Sequence, residues 1–329
     1  MIPLHLALLH RGHWYNQAPR IDGHFAYDVP GLTWEHHDVE RDFCLDVKAW
    51  KDVDAIWLDD GKYSAPSIEP HKGNRISPVV YRVLWPTLGE SIHETKRRIA
   101  ERLADLVLLD HDKPENWYSS DFQVRQLPYA VNERYYRDRG LRRDIDVGFY
   151  CVWQHSPARP AFSAWLEGYC KKRGWVYWHT GGQSVNQEYA SLLARTKVVV
   201  HLNRTANTRP ARIFDCAAAG AAFLSNPMPP VIGECWMPGV HYLTFDKPAD
   251  SYVLDGKPRG PFSDKEMEGV EIALDDLIGH GFWEPIAANA KAYTLACHTW
   301  ERRSWELRGI LCDCFPHLRR KVGEQWAYT

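Results

Sequence analysis

The sequence predicts an α/β protein of two domains, each a parallel sheet flanked by helices. At 329 residues the chain is too long for one ordinary doubly wound domain and suits two. Short apolar runs with the length of buried strands recur along it, each ending in polar or turn residues. Helical patterns separate these runs, and the alternation begins afresh after a polar, charged and aromatic stretch, Asn132 to Arg143, which reads as an interdomain linker.

In order along the chain, Ile2 to Leu9 is an apolar run that stops at His10-Arg11-Gly12-His13, a first strand followed by a loop at its carboxyl end. Ala55 to Leu58, Val79 to Trp85 and Leu106 to Leu109 supply further buried strands, and Val124 to Pro128 the last one of the first sheet. Glu90 to Ala104 carries Ile92, Ile99 and Leu103 on one face and Lys96, Arg97, Arg98 and Arg102 largely elsewhere, a helical pattern whose basic side reads as solvated. The second set runs strand Asp144 to Phe149, helix Ala158 to Arg173, strand Trp175 to His179, helix Gln187 to Arg195 and strand Lys197 to Leu202. It continues with helix Arg209 to Ala219 and strands Ala222 to Ser225 and Tyr242 to Phe245, and is mostly helical from Ser263. The domains are therefore expected at residues 1–140 and 141–300. A C-terminal helix follows at 301–329, where Trp305, Leu307, Ile310, Leu311 and Phe315 at helical spacing predict packing back towards the first domain.

Hydrophobic residues at 45% and charged residues at 25% are those of a globular protein, and a formal net charge of -2 leaves no basic excess for nucleic acid or anionic membrane. No stretch reaches the roughly 18 uncharged apolar residues of a membrane helix. The opening MIPLHLALLHRGHW lacks a basic start and a small-residue cleavage site, so no membrane insertion and a cytoplasmic location are expected. The eight cysteines lack zinc or redox spacing, since the close pair Cys312 and Cys314 has one residue between; reduced, buried thiols are expected. His36-His37 with Asp38 and Glu40 is discounted as a metal site, because adjacent histidines on a strand point to opposite faces.

Open α/β sheets bind ligands beyond the carboxyl ends of their strands. After the strand Lys197 to Leu202 the chain reads Asn203-Arg204, then Asn207-Thr208-Arg209-Pro210-Ala211-Arg212-Ile213-Phe214-Asp215, then Cys216 to Gly220. On a helix beginning near Arg209, Arg212 lies one turn on, so both guanidiniums can face the mouth of the sheet and neutralise a pyrophosphate, with Asp215 continuing the spacing as an acceptor for ribose hydroxyls. From spacing alone, a surface ladder of salt bridges among Arg209, Arg212 and Asp215 is the favoured reading over a pyrophosphate site.

Glu188 to Asp246 resembles the donor domain of group 1 glycosyltransferases, especially the spore-maturation-protein-like branch. That branch carries R-x-F-E-A-L-A-C-G, matched here by Arg212-Ile213-Phe214-Asp215-Cys216-Ala217-Ala218-Ala219-Gly220, then Pro238-Gly239 and Phe245, and a closing His298-Thr299-Trp300. Asp146-Val147-Gly148-Phe149 resembles its opening strand, and Leu127-Pro128-Tyr129-Ala130-Val131-Asn132 its hinge. The resemblance implies a GT-B fold, two Rossmann-like domains facing a central cleft. It implies an enzyme that moves a sugar from a nucleotide-sugar cosubstrate to an acceptor hydroxyl, with no essential metal and no other cofactor. It places Asp215 where the family has the Glu that holds the donor ribose, and Asn207 where many members have the first Glu of an E-x7-E pair. Arg209, Arg212 and Arg159, with Gly148 and Gly182, complete the implied donor set. Asp110, at a strand end, and His13 are the candidate catalytic groups on the acceptor side.

Two positions depart from the family pattern: Asn207 replaces a Glu, and the loop Tyr150 to Ser156 lacks the expected second Gly. Asp110-His111-Asp112 after a strand is also how a metal-dependent GT-A enzyme places its carboxylates, which is one alternative. A non-enzymatic two-domain ligand-binding protein is another. Nicotinamide chemistry is disfavoured by the lack of G-x-G-x-x-G after a strand. The acceptor stays open among a glycan, a small molecule, a protein and a hydroxymethylated DNA base, which the aromatics and the basic stretches Lys96 to Arg102 and Arg134 to Arg143 would suit.

Overall fold

The structure, a computed structural model, describes residues 3–10, 31–38, 52–59, 77–83, 90–109, 117–151, 158–180, 186–202, 210–228, 236–245 and 264–322. The chain divides into two compact units, Met1–Tyr129 with Trp300–Thr329, and Ala130–Thr299.

In the first unit β1 (Leu4–His10), β2 (Leu32–Asp38), β3 (Ala55–Asp59), β4 (Val79–Val83), β5 (Leu106–Leu109) and β6 (Gln123–Gln126) form a parallel sheet in the order β2-β1-β3-β4-β5-β6. Parallel strands covered on both faces have no solvated side, which is why Ile56 to Leu58 and Leu106 to Leu109 are uninterrupted apolar runs and are all buried. Carboxylates satisfy amide groups where strands begin: Asp54 accepts the His5 N–H and Asp105 the Val79 N–H, each at 2.7 Å. Helix α1 (Glu90–Leu103) buries Ala100 and Leu103 against this sheet, while Arg97 and Arg98 pair with Glu101 and Glu94 at i,i+4 spacing on its outer side.

The second unit runs β7 (Ile145–Tyr150), α2 (Ala158–Arg173), β8 (Tyr177–Thr180), α3 (Asn186–Arg195), β9 (Thr196–His201), α4 (Arg212–Ala218), β10 (Ala222–Ser225) and β11 (Leu243–Thr244). Helix α5 (Asp264–Leu274), a π turn at Asp275–Gly279 and α6 (Trp283–Cys297) follow. Its parallel sheet has the order β11-β10-β9-β7-β8. Phe149, Phe162, Val198, Val200, Leu224 and Leu274 are at the centre of its core. The strand β8, which among the described residues pairs with β7 alone, is half exposed at Tyr177, His179 and Thr180 and presents Trp178 to solvent.

The stretch Asn132 to Arg143, which the sequence reads as a linker, is part of this unit. Val131 donates its N–H to the His298 carbonyl at 2.8 Å, and Asn132 and Tyr136 are buried. Its charges work internally: Asp138 accepts from Lys291 at 3.0 Å, and Arg143 donates to the carbonyls of Thr196 at 2.5 Å and Ala219 at 2.7 Å. Composition alone cannot tell a solvated charge from one bonded to a helix end.

Helix α4 ends in a Schellman motif. Ala221 N–H reaches the Cys216 carbonyl and Gly220 N–H the Ala217 carbonyl, both at 2.9 Å, with Gly220 at φ 76°. A Cβ on Gly220 would stand 2.6 Å from Arg143 Nη2. Gly220→Ala is therefore expected to lose about 2–4 kcal/mol, combining left-handed strain with displacement of the Arg143 clamp. Urea unfolding checks this, and a loss under about 1 kcal/mol would show that Arg143 yields freely.

The helices α7 (Trp300–Cys314) and α8 (Pro316–Val322) belong to the first unit. Leu307, Leu311, Cys314 and Leu318 form their buried stripe; Arg303 donates to the Pro128 carbonyl at 2.9 Å and Gln123 to that of Cys314 at 3.0 Å. Lys321 binds both oxygens of the buried Asp54 at 2.7 and 2.8 Å. Among the described residues no helix is long and apolar enough to cross a membrane.

Candidate active site

In the second unit the chain leaves β7 to one side to form β8 and crosses to the other to form β9, so β7 and β9 flank a topological switch point. The crevice at the carboxyl ends of such strands is where open α/β sheets take ligands. Three groups meet there. Cys151 follows β7, His201 ends β9, and Arg212 opens α4.

Arg212 is half-buried. Its Nε donates to the Tyr189 hydroxyl at 2.9 Å, its Nη1 approaches His201 Nδ1 at 3.3 Å, and the guanidinium lies 5.7 Å from the Tyr189 ring centre. Of a guanidinium's five N–H groups, contacts among the described residues use two. Burial pulls the Arg212 pKa down, and Tyr189, Cys216 and Cys151 more than offset this, so the charge stays. Burial likewise pushes the Tyr189 phenol well up, keeping it a neutral acceptor beside the cation.

One turn on, Asp215 is 1% exposed, and neither of its oxygens has a hydrogen-bond partner among the described residues. Loss of hydration raises its pKa to about 8, with Arg212 pulling the other way. A buried carboxyl left without hydrogen bonds is costly in a folded protein and marks a place where a ligand supplies the partners. The helix that carries both groups has every residue from Ile213 to Ala218 buried, and Phe214 packs on the His298 and Trp236 rings at 4.9 and 5.7 Å. His298, in the closing motif of the sequence, thus acts as a buttress for α4.

Arg159, second residue of α2 after β7, is buried at the same end of the sheet. Gly148 is in mid-strand under the Tyr150 ring, where a Cβ would meet that ring at 2.6 Å, so its evident duty is packing. The helix expected from Arg209 starts at Arg212, with Ala211 as its N-cap residue. Packing of a short buried segment, not a cap, defines this start. Asp110, Asp112, His13, Asn207, Arg209 and Gly182 lie outside the described residues. Among the described residues no group of three or more His, Cys, Asp or Glu is placed to hold a metal ion. His201 and Tyr189 were not singled out from sequence; the one signal was a histidine closing the apolar run Val198 to Val200.

Comparison with known proteins fits this geometry. A family described as "Glycosyl transferase-like" matches residues 149–254, the segment from β7 past β11. Among solved structures, Anabaena HepE, in complex with UDP and glucose, is similar at TM-score 0.58 and 12% identity over 94% of this chain and 100% of that one. An α-glucosyltransferase in complex with UDP-glucose and DNA containing an abasic site gives TM-score 0.55 and 10% identity over 94% and 99%. The pneumococcal O-GlcNAc transferase GtfA, in complex with UDP and GlcNAc, gives 0.53 and 9% over 82% and 58%. No curated protein sequence matches the chain. The fold is GT-B, with a Rossmann-like sheet in each unit.

Proposed function

We propose that the second unit binds a uridine diphosphate sugar at the switch point between β7 and β9. The chain is a glycosyltransferase, an enzyme that moves a sugar from a nucleotide-sugar donor to an acceptor hydroxyl. The observation that carries the donor site is the juxtaposition of Arg212, a cation whose hydrogen bonds among the described residues go to neutral acceptors, with Asp215, a buried carboxyl that lacks hydrogen-bond partners among those residues. Arg212 contacts the diphosphate through its remaining N–H groups, and Asp215 accepts the ribose hydroxyls. Arg159, at the start of α2, adds a second positive charge. Arg209, Asn207 and Gly182 complete the donor contacts, and uridine is chosen because the similar structures hold UDP.

The leaving diphosphate is neutralised by arginine, so no metal is required for transfer. Asp110 serves as general base towards the acceptor hydroxyl, and His13 is the second candidate catalytic group. A hydroxymethylated base in DNA remains one acceptor to test, because one structural neighbour was solved with DNA. The sequence pattern around Arg212 to Gly220 supports a reading of the enzyme as a member of the spore-maturation-protein-like branch. The buried thiols Cys151, Cys170, Cys216 and Cys314 suit a reducing compartment, the cytoplasm.

Calorimetry with UDP is expected to show binding, and mass spectrometry of a donor panel with glycan, small-molecule, protein and hydroxymethylated DNA acceptors is expected to show transfer that persists in EDTA. Failure to bind any nucleoside diphosphate would overturn the donor site. Loss of transfer in EDTA, restored by manganese, would instead make Asp110 and Asp112 metal ligands.

A further inference from the structure

We propose that His201 is a positioning residue that holds Arg212 aimed at the donor diphosphate by acting as a neutral hydrogen-bond acceptor; this rests on reading Arg212 as the diphosphate contact. His201 is 8% exposed, and its ring stacks on Phe223 of the neighbouring strand at 5.6 Å and 29°. That stack fixes the plane of the imidazole, and Nδ1 faces Arg212 Nη1 at 3.3 Å. A guanidinium offers donors only, so Nδ1 presents its lone pair and the ring proton is on Nε2.

The Tyr189 hydroxyl, from α3, accepts from the other side of the same guanidinium at 2.9 Å. Two acceptors on different elements fix the fork in orientation. Both are neutral, so they leave its charge to the ligand, whereas a carboxylate in either place would cancel it. Other ionisable groups electrostatically linked to Arg212 include Cys151, Cys216 and Tyr150, and burial raises the pKa of Cys216 and of Tyr150, favouring their neutral forms. Asp215 is the acid one turn away, and its own neutral form is favoured by burial.

The test is UDP binding by calorimetry to wild type, His201→Asn, His201→Phe, Arg212→Ala and the double variant His201→Phe with Arg212→Ala, each checked for folding by thermal melting. Asparagine puts an acceptor oxygen near the place of Nδ1 and is expected to bind within about threefold of wild type. Phenylalanine keeps the stack on Phe223 without the acceptor and is expected to bind about tenfold more weakly. In the Arg212→Ala background the His201→Phe change should have no further effect. If His201→Phe fails to fold, His201→Leu takes its place.

Wild-type affinity in His201→Phe alongside a large loss in Arg212→Ala would overturn the proposal and leave the donor site standing. Equal losses in His201→Asn and His201→Phe would also overturn it, since the imidazole would then matter for packing alone. Unchanged affinity in Arg212→Ala would remove the donor-site reading and this inference with it.

Discussion

Arg212→Ala is expected to lower affinity for UDP by about a hundredfold or more while leaving the fold intact. Each charge-assisted hydrogen bond to a phosphate is worth about 1.5–3 kcal/mol, and the guanidinium fork can make two in parallel. The fold should survive, because Arg212 is half-buried and its protein partners, Tyr189 and His201, can each take a water in its place. Arg212→Lys is expected to recover only part of the affinity, since an ammonium is a point charge without the fork. Calorimetry measures both. A folded Arg212→Ala protein with wild-type affinity would move the phosphate site elsewhere.

Asp215→Asn should change stability and binding in opposite directions. The Asp215 pKa is raised to about 8 from the ordinary 3.8, so the folded state holds a proton that the unfolded chain gives up. The folded pKa is above the unfolded one, so this group disfavours folding progressively as pH rises from the unfolded value to the folded one, and the penalty is absent in acid. At about 1.4 kcal/mol per pH unit, it is on the order of 4 kcal/mol at pH 7. An asparagine does not titrate but still buries an amide, so the expected gain is smaller, about 1–3 kcal/mol. Thermal melting of the unliganded variant should therefore exceed wild type at pH 7 to 8, with the difference shrinking towards pH 4. UDP affinity should fall meanwhile, most clearly above pH 8 where Asp215 is ionised, because a carboxylate accepting two hydroxyls is replaced by a group that offers one acceptor oxygen. A gain in stability at the cost of binding is the signature of a strained functional group. A variant less stable than wild type at pH 8 would show that Asp215 is satisfied in the fold.

Sequence reached the strands most directly. Ala222 to Ser225 and the helix Ala158 to Arg173 were readable to the residue, because buried parallel strands are apolar throughout and α2 has turn signals at its end. The start of α4 was misread at Arg209 because its boundary is set by packing of Ile213 to Ala218, which leaves no cap for a sequence to display. The stretch Asn132 to Arg143 was misread because its arginine and aspartate serve carbonyls and a lysine far along the chain. Asp215 was visible through its place in a motif, while its isolation from hydrogen bonds was not. His201 and Tyr189 could not be found, since nothing but the fold brings residues 189, 201 and 212 together.

The Schellman turn at Gly220 and the Arg143 clamp bear on the entropy of association. A helix of seven residues spans about 10 Å. With its far end bonded to Arg143 and its flank pressed on Phe214's aromatic neighbours, the end that carries Arg212 has little freedom left to lose. The ordering of that guanidinium is accomplished when the chain folds, so a ligand meets a cation already in place, and more of the gross attraction survives as affinity.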